Sequence, residues 1–414
     1  MNPEARPYVE AFAPPAGEPA WLSRARRRGL ERFAAEGFPS RRGEGWRYLD
    51  LGALAARPLL PRAAAGAADL RGFDLPEAGS TLVLVDGRFA PDLSRLGAGL
   101  GPLSAAAPDL AEAAFAQPSG PFAALGAALF GDGFALDVPP GAVLGAPVAV
   151  VHVASSGGAS VHTRNVVRLG AGSRASLIEI FVGAGGYWRN DATALSLGEG
   201  AALDRIVLVE EAAEAVHLND TAATLAAAAR LGSFVMILGG RTVRQELRVA
   251  VAGEDAACRL DGAFVLAGDE EANIVAAVDH LAPRGATREL VKGVAAGRAH
   301  GAFQGRIVVH EGAQKADAHQ LSRNLILGRR AAIDTKPELE IYADDVKCAH
   351  GASVGDLDEA AMFYLASRGI APDEARRLLV EGFVGEAVER AEPAALRPYL
   401  RRRLGARLAK LEAA

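Results

Sequence analysis

The chain has 414 residues, 50% of them apolar and 23% charged, with 47 glycines, 6% aromatics and a formal net charge of −5. That balance supports a large core, as two or three domains or one long repetitive one, and excludes wholesale disorder and a global basic field for nucleic acid. With only two cysteines, Cys258 and Cys348, a disulfide framework is not expected and a reducing compartment is.

Met1 to Ala5 carries no basic segment followed by an apolar run, so no signal peptide is expected. The longest apolar stretch, Leu225 to Gly240, is interrupted by Arg230 and is too short to cross a bilayer. The expectation is a cytoplasmic chain that engages neither membrane nor nucleic acid.

Residues 1–79 read as a mainly helical region. Trp21 to Glu36 sets Leu22, Ala25, Gly29 and Phe33 at helical spacing, and its arginines 24, 26, 27, 28 and 32 read as a solvated face. Arg57 to Asp69 reads as a loop. From Ser80 the pattern turns to strand: Thr81 to Val85, an Asp86-Gly87 turn, then Arg88-Phe89. One helix near 119–131 interrupts, with Ser119 as its cap and Pro121 in its first turn.

From Phe134 to Val346 short strands such as Val148 to Val153, Leu203 to Val209 and Arg259 to Leu266 alternate with small-residue turns. Alanines 201, 229 and 257 recur at a step of 28. This loose period fits a parallel β-helix, with roughly eight to ten coils stacked about 4.8 Å apart. A narrow interior suits Val, Leu, Ile and Ala better than rings. A doubly wound sheet would need a helix between strands, for which most connections leave no room. The rod spans residues 80–350, and its open ends must be capped or paired with another chain.

Residues 351–414 read as helical again. Asp356 or Asp358 starts one helix, with Met362, Phe363 and Leu365 as apolar contacts. Asp373 to Arg390 follows, with Ala375, Leu378, Leu379, Phe383, Val384 and Val388 as its stripe. Pro393 restarts a basic third helix, its arginines also read as solvated.

No P-loop, His-Glu-x-x-His or paired Cys-x-x-Cys occurs. Gly351-Ala352-Ser353-Val354-Gly355 matches Gly-x-Ser-x-Gly, but no histidine follows His350, so the hydrolase order is not met. Seven of the eight histidines are scattered at strand-like positions and read as structural. His350 differs: in Val346-Lys347-Cys348-Ala349-His350 an extended chain puts Cys348 and His350 on one face, about 7 Å apart. A thiolate and an imidazole suit iron, copper or zinc, and Lys347 could lower the thiol pKa if it lay close. Two ligands are too few, so others must come from elsewhere or from a partner. The competing reading is a small buried cysteine beside a structural histidine.

Phe303-Gln304-Gly305-Arg306-Ile307, Ser322-Arg323-Asn324-Leu325, Asp334-Thr335-Lys336-Pro337 and Lys347-Cys348-Ala349-His350-Gly351-Ala352 follow one another, then Phe363-Tyr364-Leu365-Ala366-Ser367-Arg368-Gly369. This succession resembles the SufB/SufD family of iron–sulfur cluster assembly proteins, most of all its SufD branch. Glu44-Gly45-Trp46-Arg47-Tyr48 and His162-Thr163-Arg164-Asn165 match more thinly. The resemblance implies a mainly β chain, a right-handed parallel β-helix flanked by N- and C-terminal helical regions. It implies a non-enzymatic scaffold subunit that pairs with a SufB-like paralogue near the C-terminal ends of both rods. It also implies a SufC-like ABC-type ATPase on the helical tail, with Phe363, Tyr364, Arg368, Gly369, Leu379 and Phe383 as docking candidates.

Cys348 and His350 fall on the family's Lys-Cys-x-His-Gly-Ala motif, which implies a transient cluster or iron at the partner interface and no intrinsic cofactor. The SufB branch has a cysteine shortly after Arg-Asn; Leu325 to Arg330 has none here, and Ala316 stands where a hydroxyl residue is expected. Two other readings compete. A polysaccharide-active β-helix would be secreted and rich in groove aromatics, and a homodimeric structural rod would pair through its exposed end without metal chemistry.

Overall fold

The computed structural model describes residues 2–68, 70, 73–97, 99–116 and 120–412. Ser119, expected as a helix cap, lies outside them; the helix it precedes, Pro121–Leu129, has Gly120 at its cap position.

Two sheets run the length of the molecule. One contains β1 (Ser80–Val85), β2 (Arg88–Phe89), β5 (Val148–Ala154), β7 (Arg174–Gly183), β9 (Ala202–Glu210), β11 (Arg230–Gly239), β13 (Ala257–Leu266), β15 (Ala286–Ala296), β17 (Asp317–Leu327) and β19 (Lys347–Gly355). The other contains β3 (Leu100–Pro102), β4 (Phe134–Val138), β6 (Ser160–Leu169), β8 (Trp188–Leu197), β10 (Val216–Leu225), β12 (Thr242–Val251), β14 (Glu271–His280), β16 (His300–Val309) and β18 (Ala332–Ile341). From β4 to β19 successive strands alternate between sheets and pair in parallel with the strand two positions on. The result is a β-solenoid of about eight turns over residues 135–355, flanked by helices at both ends of the chain. The 28-residue step is real: Trp188 pairs with Val216, and Ala202 with Arg230.

Side-chain alternation sends every second residue inward. Leu177, Leu203, Leu231, Val249 and Ile307 fill the interior, where each fully buried side chain contributes roughly 1.5–3 kcal/mol. The interior also holds rings, against the sequence-based expectation: Phe134, Phe181, Phe264 and Phe303 are all buried there. Glycines make the room. A Cβ on Gly293 or Gly301 would stand 2.2 or 2.4 Å from the Phe264 ring. The shaft is not wholly apolar either: Arg205 pairs with Glu179 and Arg189 with Glu211, each at 2.6 Å, and the His152 ring stacks on Phe181 at 4.3 Å.

Helices cover part of both outer faces, on the earlier strands, and leave the last strands exposed. Helix α1 (Arg6–Glu10), α2 (Ala20–Glu36) and α3 (Gly52–Ala56) precede the rod, and α4 (Pro108–Ala113) and α5 (Pro121–Leu129) interrupt its first turns. Tyr8, Phe33, Phe38 and Phe122 from this part pack against Trp188 and Leu218 of the nine-stranded sheet. The α2 arginines are not all solvated. Arg26 is buried: its Nη1 donates to the carbonyls of Ala128 and Phe130, and Nε pairs with Glu18 at 2.8 Å.

After the rod come α6 (Glu359–Ser367), α7 (Pro372–Val388) and α8 (Arg397–Glu412). Asp358 caps α6, accepting from the amides of Ala360 and Ala361. Val380, Val384, Val388, Leu400, Leu404 and Leu408 lie on the ten-stranded sheet among Ile180, Leu208, Met236 and Val265. Two tail readings need correction. Leu378, expected in the α7 stripe, is exposed, and Val380 and Ala387 take the buried positions. The α8 arginines are not all solvated: Arg401 and Arg402 are exposed as expected, but Arg403 pairs with Glu210 at 2.8 Å and Arg407 with Glu270. These two pairs fasten the tail along the shaft, as do Arg390 to Asp261 at 3.0 Å and Lys292 to Glu386.

Candidate functional site at the open end of the solenoid

Both sheets end on the same side, at β18 and β19. The two edges differ in chemistry. β18 carries Lys336, Pro337, Glu338 and Glu340, features that blunt an edge against further pairing. β19 has neither proline nor carboxylate.

Cys348 and His350 are both on β19, opposite Ala318 and Gln320 of β17. Ala318 and Gln320 are buried inward-facing residues, so the thiol and the imidazole both face the mouth of the shaft. Cys348 is half-buried against the interior cluster and His350 is exposed. Behind His350 runs a polar column: Gln320 Nε2 donates to Glu289 Oε2 at 2.7 Å, and burial pushes the Glu289 carboxyl up to about 7.

Lys347 does not pull the Cys348 thiol down. Burial raises the Cys348 pKa above 9.0, Asp317 adds to the rise, and the hydrogen bond to the Ala318 backbone only offsets part of it. Lys347 precedes it on the strand and so projects from the other face. Among the described residues, no group of three or more His, Cys, Asp or Glu side chains could hold a metal ion. What β19 offers is therefore an incomplete donor pair on an unpaired edge.

Gly351-Ala352-Ser353-Val354-Gly355 lies within β19 itself, so it is no strand–turn–helix elbow. The histidines at 152, 162, 217 and 280 are buried within strands and hydrogen-bonded or stacked, apart from the tip. His300 and His319 pair with Asp334 and Asp317, and His310 lies just past β16.

The six tail residues fall into two groups. Phe363 and Tyr364 are 76% and 56% exposed on α6, so Phe363 is not the packing contact expected of it. Arg368 stacks over the Tyr364 ring at 5.0 Å, and Gly369, at φ +80°, turns the chain after α6. Leu379 and Phe383 on α7 are half-buried, with Lys292 Nζ 4.3 Å over the Phe383 ring. Only Asp356 to Asp358 separate β19 from α6.

The structure joins two motifs that the sequence reading left apart: Lys336 Nζ meets Glu44 Oε1 at 2.6 Å, and Arg244 lies 4.1 Å over the Trp46 ring. The only sequence signal was that both stretches took part in the resemblance.

The geometry defines the class: a β-solenoid of two alternating parallel sheets whose last strand carries a thiol and an imidazole on an unpaired edge. The comparisons give the family. The model of the SufBD core domain, described as SUF system FeS cluster assembly, matches residues 152–383. The iron–sulfur cluster assembly protein SufD of Escherichia coli is 29% identical over 386 residues, 92% of this chain and 91% of that protein. SufD of Bacillus subtilis is 38% identical over 121 residues, 29% of this chain and 28% of its own length. A SufBD family protein of Synechocystis is 34% identical over 215 residues, 52% of this chain and 48% of that one. The chain belongs to the SufBD family of the SUF system and is SufD-like. Among the described residues no helix is long and apolar enough to cross a membrane.

Proposed function

We propose that this chain is a non-enzymatic cytoplasmic scaffold subunit for iron–sulfur cluster assembly, and that it contributes Cys348 and His350 to a site completed by a SufB-like paralogue. The observation that carries the reading is the placement of both donors on β19, an edge strand with nothing paired beyond it among the described residues. The iron or nascent cluster is cargo at that junction, and the paralogue provides the remaining ligands.

A SufC-like ATPase docks on the exposed side of α6, around Phe363, Tyr364 and Arg368, with Leu379 and Phe383 anchoring α7 to the rod. ATP-driven closure of that partner moves α6. The three-residue link passes the movement to β19 and reshapes the shared site. Both end states differ in partner contacts, which is what lets a nucleotide shift their balance.

The test is co-expression with the ATPase and the paralogue from the same organism. A stable three-component complex is expected, and Phe363→Glu with Tyr364→Glu should release the ATPase while the paralogue stays bound. Failure of the wild-type chain to co-purify with either would overturn the reading. Without the paralogue, the same edge pairs with a second copy; mass measurement with and without partners separates the two assemblies.

A further inference from the structure

A cleft of about 430 Å³ lies between α2, α5 and the residues after α4, far along the chain from the β19 tip. Three arginines of α2, Arg24, Arg28 and Arg32, line it at successive helical turns, with Trp21 and Phe115 as aromatic wall and alanines of α5 as floor. Like charges spaced i,i+4 destabilise a helix unless something neutralises them. Arg32 has Glu36 at 2.8 Å. Among the described residues, Arg24 and Arg28 have no ion pair and Glu112 is the one carboxylate lining the cleft.

The fourth arginine is the informative one. Arg164, in β6, is 2% exposed and reaches the same cleft from the sheet below. Its Nη2 donates to the Ala123 carbonyl, and its guanidinium stands 5.4 Å from the Phe115 ring. Nε and Nη1 are buried without a hydrogen-bond partner. An unsatisfied buried donor costs about 1–3 kcal/mol, more when charged, so two on one guanidinium call for an acceptor.

We infer that this cleft is a binding site for a small phosphate-bearing anion, with Arg164 as the buried fork at its base and Arg24 and Arg28 closing over it from α2. Nη2 keeps one N–H beyond the one given to Ala123, and beside Nε or Nη1 it completes the planar fork that matches a phosphate oxygen pair, while the flanking cations suit a second charged group. Burial lowers the Arg164 pKa to about 10, so a bound anion would also hold its charge in place. This reading does not depend on the β19 tip or on the partners proposed above.

The experiment is calorimetric titration of the full-length chain with sodium pyrophosphate at low salt, with sodium citrate as a carboxylate of comparable charge. Saturable 1:1 binding of pyrophosphate is expected, tighter than that of citrate. Arg24→Ala with Arg28→Ala, on an exposed helix face, should weaken it by on the order of tenfold or more while the melting transition stays cooperative. Arg164→Gln should weaken it by a similar factor; if that variant does not fold, Arg164→Lys, which keeps the charge but loses the fork, should still lose affinity. No saturable heat with the wild type, wild-type affinity in the double variant or in a folded Arg164 variant, or citrate binding as tight as pyrophosphate would each overturn the assignment.

Discussion

Cys258 and Cys348 stand on one inward-facing ladder of the ten-stranded sheet, three rungs apart, with Thr287 and Ala318 between them. Stacking makes them equivalent in direction and opposite in environment. Cys258 is enclosed, shares a contact with Thr287 Oγ1 at 3.3 Å, and is pushed up to about 12 by burial. Cys348 has no further coil above it.

Thiol labelling should separate the two. At pH 8, a pKa of about 12 leaves Cys258 on the order of a thousandfold less thiolate than a thiol at 9.0. Iodoacetamide on the native chain should modify Cys348 alone, and more slowly than it modifies a small free thiol, since burial and Asp317 hold that pKa up as well. Peptide mass mapping checks it; labelling of Cys258 at a comparable rate would contradict the enclosed shaft.

His350→Ala should leave the rod intact. The ring is exposed, so the expected stability change is within about 0.5 kcal/mol. The complex with the paralogue should still form, while cluster formation on it, followed by visible absorbance, should fall sharply. Normal cluster formation by this variant would remove His350 from the proposed site.

His162 gives the fold a pH dependence of known sign. Asn190 Nδ2 donates to its Nδ1, so Nε2 carries the proton and donates to Ser160 Oγ. Burial, with Arg164 adding repulsion, lowers its pKa to about 3. Between about pH 3 and 6.5 the unfolded chain then binds a proton at this ring that the folded chain refuses, so stability falls as pH drops through that window. A His162→Gln variant should show a shallower loss of urea midpoint between pH 6.5 and 4.5; an identical slope would mean the ring protonates in the native state.

Gly29→Ala tests the seating of α2 on α5. A Cβ there would lie 2.4 Å from the Ala124 carbonyl oxygen, a backbone atom that cannot step aside alone. Alanine gains up to about 1 kcal/mol of helix propensity, but crowding of this kind costs roughly 1–3 kcal/mol. A lower urea midpoint is expected, and an unchanged or higher one would refute the close approach.

The solenoid was readable because its signals are local and repeated. Alternating strands, small-residue turns and the step from Ala201 to Ala229 each restate one coil. The tip was readable for a related reason: period-two alternation puts Cys348 and His350 on one face whatever surrounds them. What depended on distant partners was not. Arg26 and Arg403 look like neighbouring solvent-facing arginines until Glu18, Phe130 and Glu210 are in place around them. Leu378 and Val380 are both apolar at helix-compatible positions, and only docking on the sheet decides which is covered. The Phe264 ring fits because Gly293 and Gly301 vacate space, a complementarity between rungs that composition averages away.

The two ends of the ladder set a limit on growth. At the start of the rod, β2 and β3 are strands of two and three residues that pair antiparallel to β1 and β4, so the parallel stacking stops there. At the finish, β19 remains receptive. On the pairing proposed above, a rod receptive at one terminus joins tip to tip and has nothing left to add, which would close the assembly at two rods instead of a fibre.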